Sequence, residues 1–182
     1  MVAAIPLPPQ TYLRECLDYD PVTGVLTWKD RPRSHFPTEH GYLIFRGKYA
    51  GCAAGSPGRY HVIKLDQRMI GSHRVIWRWM TGEDAPLVEH RDLNRLNNAW
   101  GNLRTATQSQ NCCNAGPRKR TSGIDLPKGV CVKGNGYTAQ VAYEKVVFKL
   151  GYFRSAEKAH AAYVAKAMEL HGEFMGPTIA EV

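Results

Sequence analysis

Residues Val88–Asn111 read VEHRDLNRLNNAWGNLRTATQSQN, and the rest of the chain is interpreted outward from them. The short apolar run Leu87-Val88 ends in a carboxylate beside an imidazole, Glu89-His90. An Asn-rich loop over 91–101 follows, then a second short run, Asn102-Leu103-Arg104, then a helix starting at Thr107 with Asn111 one turn in. The pattern predicts strand, long loop, strand, helix. A long loop inside a compact unit usually carries function or is disordered. Here a carboxylate, an imidazole and an amide flank it, a set that suits one oxygen-liking metal ion and one general base.

The stretch resembles the HNH nuclease motif, the ββα-metal (His-Me finger) fold of homing endonucleases and related phage enzymes. The residues that carry the resemblance are Glu89-His90, Asn94-Arg95-Leu96-Asn97-Asn98, Trp100-Gly101-Asn102-Leu103-Arg104, Ala106-Thr107 and Asn111. The resemblance implies that His90 is the general base, that Asn102 pins the loop, and that Asn111 is a metal ligand. Relatives most often carry Asp before the histidine. Here Glu89 stands in that place, and its extra methylene moves the carboxylate by about 1.5 Å, one C–C bond. With Glu89 and Asn111 as ligands, the resemblance implies one Mg²⁺ or Mn²⁺ per active site.

Composition agrees with a nucleic-acid partner. The chain has 182 residues, a net charge of +8 and 43% hydrophobic residues, with a pI near 9.4. A basic chain with no long apolar run favours a polyanion over a membrane. The excess positive charge divides evenly between residues 1–117 and 118–182. The five cysteines, at 16, 52, 112, 113 and 131, form no CxxC pair. They are expected to be thiols in a reducing compartment. The N-terminus MVAAIPLPPQ has no charged region ahead of its apolar residues and three prolines, unlike a signal peptide.

Along the chain, Thr11–Tyr19 has apolar residues at helical spacing with Thr11 as N-cap, and Val25–Trp28 reads as a strand after the turn 20–24. The segment YDPVTGVLTW resembles the opening of phage HNH proteins. Residues 29–58, rich in Pro and Gly, are expected to be loops with one edge strand at Tyr42–Phe45, and to carry His35 and His40 at the surface. Tyr60–Leu65 alternates and pairs through Asp66-Gln67-Arg68 with Met69-Ile70. Ser72 is expected to cap a helix over His73–Thr81 that buries Val75, Ile76 and Trp79 and ends at Gly82. His73-Arg74 stands at that helix start, where a phosphate is attracted; simple packing is the alternative. Arg91, Arg95 and Arg104 are candidate phosphate contacts or solvated surface residues, and Asn94, Asn97 and Asn98 are first of all turn formers.

Residues 116–127 read as a linker whose Arg118-Lys119-Arg120 run suits a phosphate backbone. Beyond it, Lys128–Lys133, Tyr137–Glu144 and Val146–Gly151 read as three strands, and Ser155 caps a helix over Ala156–His171 that Gly172 terminates. Alternation places Tyr137, Ala139, Val141, Phe148 and Leu150 against the helix. It leaves Lys128, Cys131, Lys133, Thr138, Gln140, Ala142, Val147 and Lys149 outward. This module resembles the APETALA2-type DNA-binding domain through Ser122-Gly123, Lys128-Gly129-Val130, Leu150-Gly151-Tyr152-Phe153, Ser155–Ala159 and His171-Gly172-Glu173-Phe174. The resemblance implies that the free sheet face lies in a DNA major groove, where a β-ribbon fits.

The expected organisation is an α+β chain. A ββα-metal nuclease domain over 1–115 is followed by a basic linker over 116–127. A three-stranded antiparallel sheet with one helix spans 128–176, and a tail spans 177–182. The resemblances imply a phage-encoded homing endonuclease in the bacterial cytoplasm, cutting duplex DNA as a monomer or a DNA-assembled dimer. The alternative is a DNA-binding regulator whose nuclease site has decayed; an RNA-binding protein is a third reading.

Overall fold

A computed structural model describes residues 6–115 and 126–175. They form two compact units. The first holds the described residues up to His90 together with Asn94–Thr105, and the second holds Arg91–Leu93 and the described residues from Ala106 onward. Arg118, Lys119 and Arg120, and the tail after 175, lie outside the described residues.

In the first unit, helix α1 (Gln10–Cys16) runs directly into strand β1 (Leu17–Tyr19), which pairs antiparallel with β2 (Leu26–Trp28). The expected helix over Thr11–Tyr19 is thus cut short, and Pro9, not Thr11, precedes its first turn. The reason is the switch to period two: Leu17 and Tyr19 are buried while Asp18 between them is exposed. The turn between the strands is held by Asp20, whose Oδ1 accepts from Val22 N at 2.9 Å and whose Oδ2 accepts from Thr23 Oγ1 at 2.7 Å.

The expected loop over 29–58 contains a helix, α2 (Glu39–Lys48), in place of the edge strand at Tyr42–Phe45. Thr38 caps it by accepting from Gly41 N, and Glu39 opens its first turn, so the local start signal overrides two glycines. No residue of α2 is fully buried, which leaves its apolar pattern weak. Nor is His35 a surface residue: its side chain is 9% exposed and its Nε2 lies 3.0 Å from Glu15. Beside it, the buried Arg31 guanidinium bonds Tyr12 Oη at 2.7 Å and Asp66 at 2.8 Å.

Strands β3 (Val62–Leu65) and β4 (Arg68–Gly71) form the expected hairpin, with Asp66 and Gln67 both at positive φ in a two-residue turn. Helix α3 (Ser72–Thr81) follows and ends at Gly82 with φ 80°. Ser72 does not cap it. The Ser72 side chain is buried, with its Oγ 2.8 Å from His61 Nδ1, and Gly71 holds the N-cap position. Val75 and Ile76 are fully buried, whereas Trp79 packs at the core edge with its indole donating to Leu17 O at 3.0 Å. The core gathers Leu13, Leu17, Leu26, Ile63, Leu65, Val75, Ile76, Val88 and Leu103. Each such side chain contributes about 1.5–3 kcal/mol by leaving water. Strands β5 (Val88–His90) and β6 (Leu103–Thr105) close the unit in the register Val88↔Thr105, Glu89↔Arg104, His90↔Leu103.

In the second unit, helix α4 (Gln108–Asn114) starts with a reciprocal capping box between Thr107 and Gln110. Strands β7 (Val130–Lys133), β8 (Gly136–Tyr143) and β9 (Val146–Phe153) form an antiparallel sheet in that order. Helix α5 (Ala156–His171) is capped by Ser155, whose hydroxyl accepts from Lys158 N, and covers one sheet face. Val130, Ala139, Val141, Ala159, Tyr163 and Ala167 form the core. Gly129 is required: an added Cβ would lie 2.0 Å from the Tyr163 ring.

Candidate active site

Strand β5 is buried along its whole length and delivers two neighbouring functional groups, Glu89 and His90, at 4% and 5% exposure. The two side chains have different partners.

His90 is held by the loop that follows it. Its Nε2 lies 3.1 Å from Asn98 Oδ1, and Asn98 is itself 3% exposed. The Asn98 amide is oriented by its other end, with Nδ2 donating to Leu96 O at 3.4 Å. An acceptor at Nε2 makes that nitrogen the N–H and leaves the imidazole lone pair on Nδ1. Asn98 is thus more than the turn former expected from the sequence, since it also orients His90. The Asn97-Asn98 doublet is the only sequence signal for that role.

The loop is fixed from several sides. Asn102 Nδ2 donates to Asn97 O at 2.8 Å, Asn94 Oδ1 accepts from Leu96 N at 3.1 Å, and Asn97 Oδ1 accepts from Ala99 N at 3.3 Å. The N-terminal hairpin braces the same segment. Tyr19 Oη donates to Asn98 O at 2.8 Å and Trp100 N to Pro21 O at 2.9 Å. Gly24, at φ 78°, lies so near that a Cβ would stand 2.4 Å from the Asn98–Ala99 peptide. The turn 20–24 therefore positions the residue that orients His90.

On its other side His90 meets rings. His73, at the start of α3, packs edge-on with centroids 5.4 Å apart, and Tyr60 lies 5.4 Å from His73 and 6.4 Å from His90. Gly71 makes room for this arrangement, since a Cβ there would lie 2.6 Å from the His73 ring. Burial above all, then the charges of His90 and Arg74, pushes His73 down to about 4. It is therefore neutral near pH 7, which fits packing better than phosphate attraction. Arg95 is exposed and stands over the Tyr60 ring at 5.0 Å.

Glu89 faces Arg104. The Arg104 Nε donates to Glu89 Oε1 at 2.6 Å, and both side chains are almost fully buried. Arg104 therefore does not offer its guanidinium to a phosphate at the surface: its place opposite Glu89 in the strand pair makes it the counter-ion of a buried carboxylate. Glu89 Oε2 is also buried and has no hydrogen-bond partner. An orphaned carboxylate oxygen is a suitable donor for a hard cation, so Glu89 fits a Mg²⁺ or Mn²⁺ ion through Oε2, with Arg104 occupying the other oxygen. In the second unit Asn111 lies one turn into α4, half-buried, with its backbone N–H on Thr107 O at 2.9 Å. Among the described residues there is no cluster of three or more His, Cys, Asp or Glu side chains that would hold a metal by themselves.

The remaining candidates lie in the second unit. Arg91 is exposed and pairs with Glu173 at 2.8 Å. Lys128 does not point outward from the sheet. Its Nζ lies on the carbonyls of Cys112 at 2.7 Å and Cys113 at 2.5 Å, and on that of Ala115, completing the C-terminal end of α4. Lys133, Gln140 and Lys149 are exposed and Thr138 half-buried on the sheet face away from α5, with Gln140 and Lys149 as cross-strand neighbours. Tyr152, opposite Thr138 and 57% exposed, joins this face because β9 runs two residues beyond the expected end.

A family model described as HNH endonuclease matches residues 71–112, from the His73 helix through β5, the Asn loop and β6 to α4. The chain is 32% identical over 145 residues to "Uncharacterized HNH endonuclease L560" of Acanthamoeba polyphaga mimivirus, covering 78% of this chain and 70% of that relative. The chain belongs to the HNH endonuclease family. No solved structure gives a significant match. The likeness to the viral protein runs well beyond the 42 residues of the matched motif, so the family assignment does not rest on the motif alone. Among the described residues no helix is long and apolar enough to cross a membrane.

Proposed function

We propose that this HNH protein is a divalent-metal-dependent DNA endonuclease of the homing type, hydrolysing phosphodiester bonds in duplex DNA by nicking or double-strand cleavage. The observation that carries the reading is His90, buried and fixed through Nε2 by Asn98 so that Nδ1 bears the lone pair. In the proposed step His90 Nδ1 takes the proton of a water molecule whose oxygen attacks the phosphorus. The P–O3′ bond breaks with its electron pair passing to O3′, which takes a proton from a second water molecule, leaving a 5′-phosphate and a 3′-hydroxyl. Asn98 keeps the ring in the reactive tautomer and Asn102 keeps the loop in place. A Mg²⁺ or Mn²⁺ ion held by Glu89 Oε2 and Asn111, in a ββα-metal arrangement, would supply charge stabilisation to the phosphorane and the leaving oxygen.

The C-terminal sheet is proposed to be an APETALA2-type DNA-binding module, with Lys133, Thr138, Gln140 and Lys149 toward DNA and Arg91, Arg95 and the 118–120 run as further phosphate contacts. The proposed domain limits are 1–115, 116–127 and 128–176. A viral origin agrees with the giant-virus relative. The protein is proposed to act as a monomer or a DNA-assembled dimer. One observation favours a second reading, a DNA-binding regulator with a decayed site: the Glu89 carboxylate already has a buried cation, Arg104, against it. Conversion of supercoiled plasmid to open-circle or linear form in Mg²⁺ or Mn²⁺, abolished by chelation, is the result expected of the endonuclease. DNA binding with no cleavage in either ion would favour the regulator.

A further inference from the structure

Tyr60 lies outside the matched family segment and thirty positions before His90, yet its ring is part of the wall around that residue. The segment that carries it is well anchored. Ser56 and Val62 exchange backbone hydrogen bonds of 2.9 and 3.0 Å, and the next residue, His61, accepts from Ser72 N at 2.9 Å while its Nδ1 meets Ser72 Oγ at 2.8 Å. One side of the Tyr60 ring is therefore fixed against His73 and His90, and Arg95 stands over the ring at 5.0 Å.

Arg95 differs from the other arginines of this region. Arg91 is paired with Glu173 and Arg104 with Glu89, whereas among the described residues Arg95 has no carboxylate at ion-pair distance. A guanidinium lying on an aromatic face is attracted by the ring quadrupole and keeps its in-plane N–H edges for a second partner. Those edges match the paired oxygens of a phosphate diester. Because the ring under Arg95 also lies with its centroid 6.4 Å from that of His90, a phosphate bound there would lie close to the proposed site of attack.

We infer that Tyr60 and Arg95 form a phosphate-binding subsite beside His90, in which the tyrosine ring is a positioning residue that presents the guanidinium to a DNA phosphate next to the one cleaved. The inference rests on the nuclease reading and extends it to a residue the motif does not contain.

The test uses the full chain with the variants Arg95→Gln, Tyr60→Leu, Tyr60→Phe and the double variant Tyr60→Leu/Arg95→Gln. Binding to a short fluorescent duplex is measured in chelator over a range of salt, and cleavage kinetics are measured in Mg²⁺. Arg95→Gln is expected to weaken binding on the order of tenfold, as removal of a charge-assisted hydrogen bond does, and to lower the salt slope by about one unit. Tyr60→Leu is expected to weaken binding about two- to fivefold, the usual effect of removing a cation–π interaction. Tyr60→Phe should recover most of that loss, and the double variant should be no worse than Arg95→Gln. The loss should fall on KM more than on kcat. An unchanged salt slope in Arg95→Gln, or fully additive effects in the double variant, overturns the subsite while leaving parental cleavage as evidence for the nuclease. Undiminished binding in Tyr60→Leu overturns it equally. A parent chain that neither binds nor cuts DNA overturns both.

Discussion

Lowering the pH should destabilise the first unit through His73, and replacing His73 by Phe should remove that part of the loss. In the folded chain His73 is held at about 4 against an ordinary value of 6.5, because burial penalises its charged form and His90 and Arg74 add repulsion. Above pH 6.5 both folded and unfolded chains carry it neutral, and it has no effect on stability. As the pH falls from 6.5 towards 4 only the unfolded chain takes up the proton, so stability declines with pH over that window and levels off below it. At 1.36 kcal/mol per pH unit, the loss between pH 7.5 and pH 4.5 is roughly 2–3 kcal/mol. With a urea slope of about 1–3 kcal/mol/M, the midpoint moves down by about 0.7–3 M. His61, Asp66 and Asp84 also titrate with shifted values in this unit, so the informative quantity is the difference between the parent and His73→Phe. Phe keeps a ring against Tyr60 and His90 and removes the buried, unpartnered Nδ1. All four tryptophans, at 28, 77, 79 and 100, belong to the first unit, so their fluorescence follows its unfolding. Equal losses in the two proteins between pH 7.5 and 4.5 would refute a buried, neutral His73.

Other perturbations separate support from chemistry. Arg104→Leu leaves Glu89 as an uncompensated buried charge and should cost about 3–5 kcal/mol in urea unfolding, whereas Glu89→Leu/Arg104→Leu should regain most of it. Gly24→Ala forces positive φ on a residue with a Cβ and drives that Cβ into the Asn98–Ala99 peptide. It should lower stability by more than about 1 kcal/mol and slow cleavage although it lies far from His90 in sequence. Neutralising Lys133 and Lys149 together should reduce the salt slope of DNA binding by about one unit for each phosphate no longer neutralised, with no change in the order of metal preference.

The strand pair β5–β6, the capped start of α4 and nearly the whole of the second unit are legible in the sequence, because each carries its own local signal. Thr107 and Gln110 are a capping box three residues apart, and β7–β9 alternate with turn residues between them. What stays hidden depends on distance along the chain. Nothing near Tyr60 announces that its ring reaches His90, and nothing near Gly24 announces that it underlies Asn98. Arg104 looks like any basic residue of a DNA-binding protein until the register sets it opposite Glu89 in a buried strand pair. Lys128 likewise needs three carbonyls of the preceding segment before its role as a helix terminator can be seen. Helix α2 is hidden for a different reason: with no fully buried residue its apolar pattern is weak, and its glycines argue against it.

The proposed role of His90, oriented by Asn98, is to move the proton in phosphodiester hydrolysis. It is tested most directly by comparing single-turnover cleavage and duplex binding for the parent, His90→Ala and Asn98→Ala in Mg²⁺. His90→Ala should lose about 10²–10⁴-fold in rate while binding DNA nearly as the parent does. Asn98→Ala should fall between them in rate, again with binding retained. Cleavage by His90→Ala at the parental rate, or parallel loss of rate and binding in both variants, would contradict it.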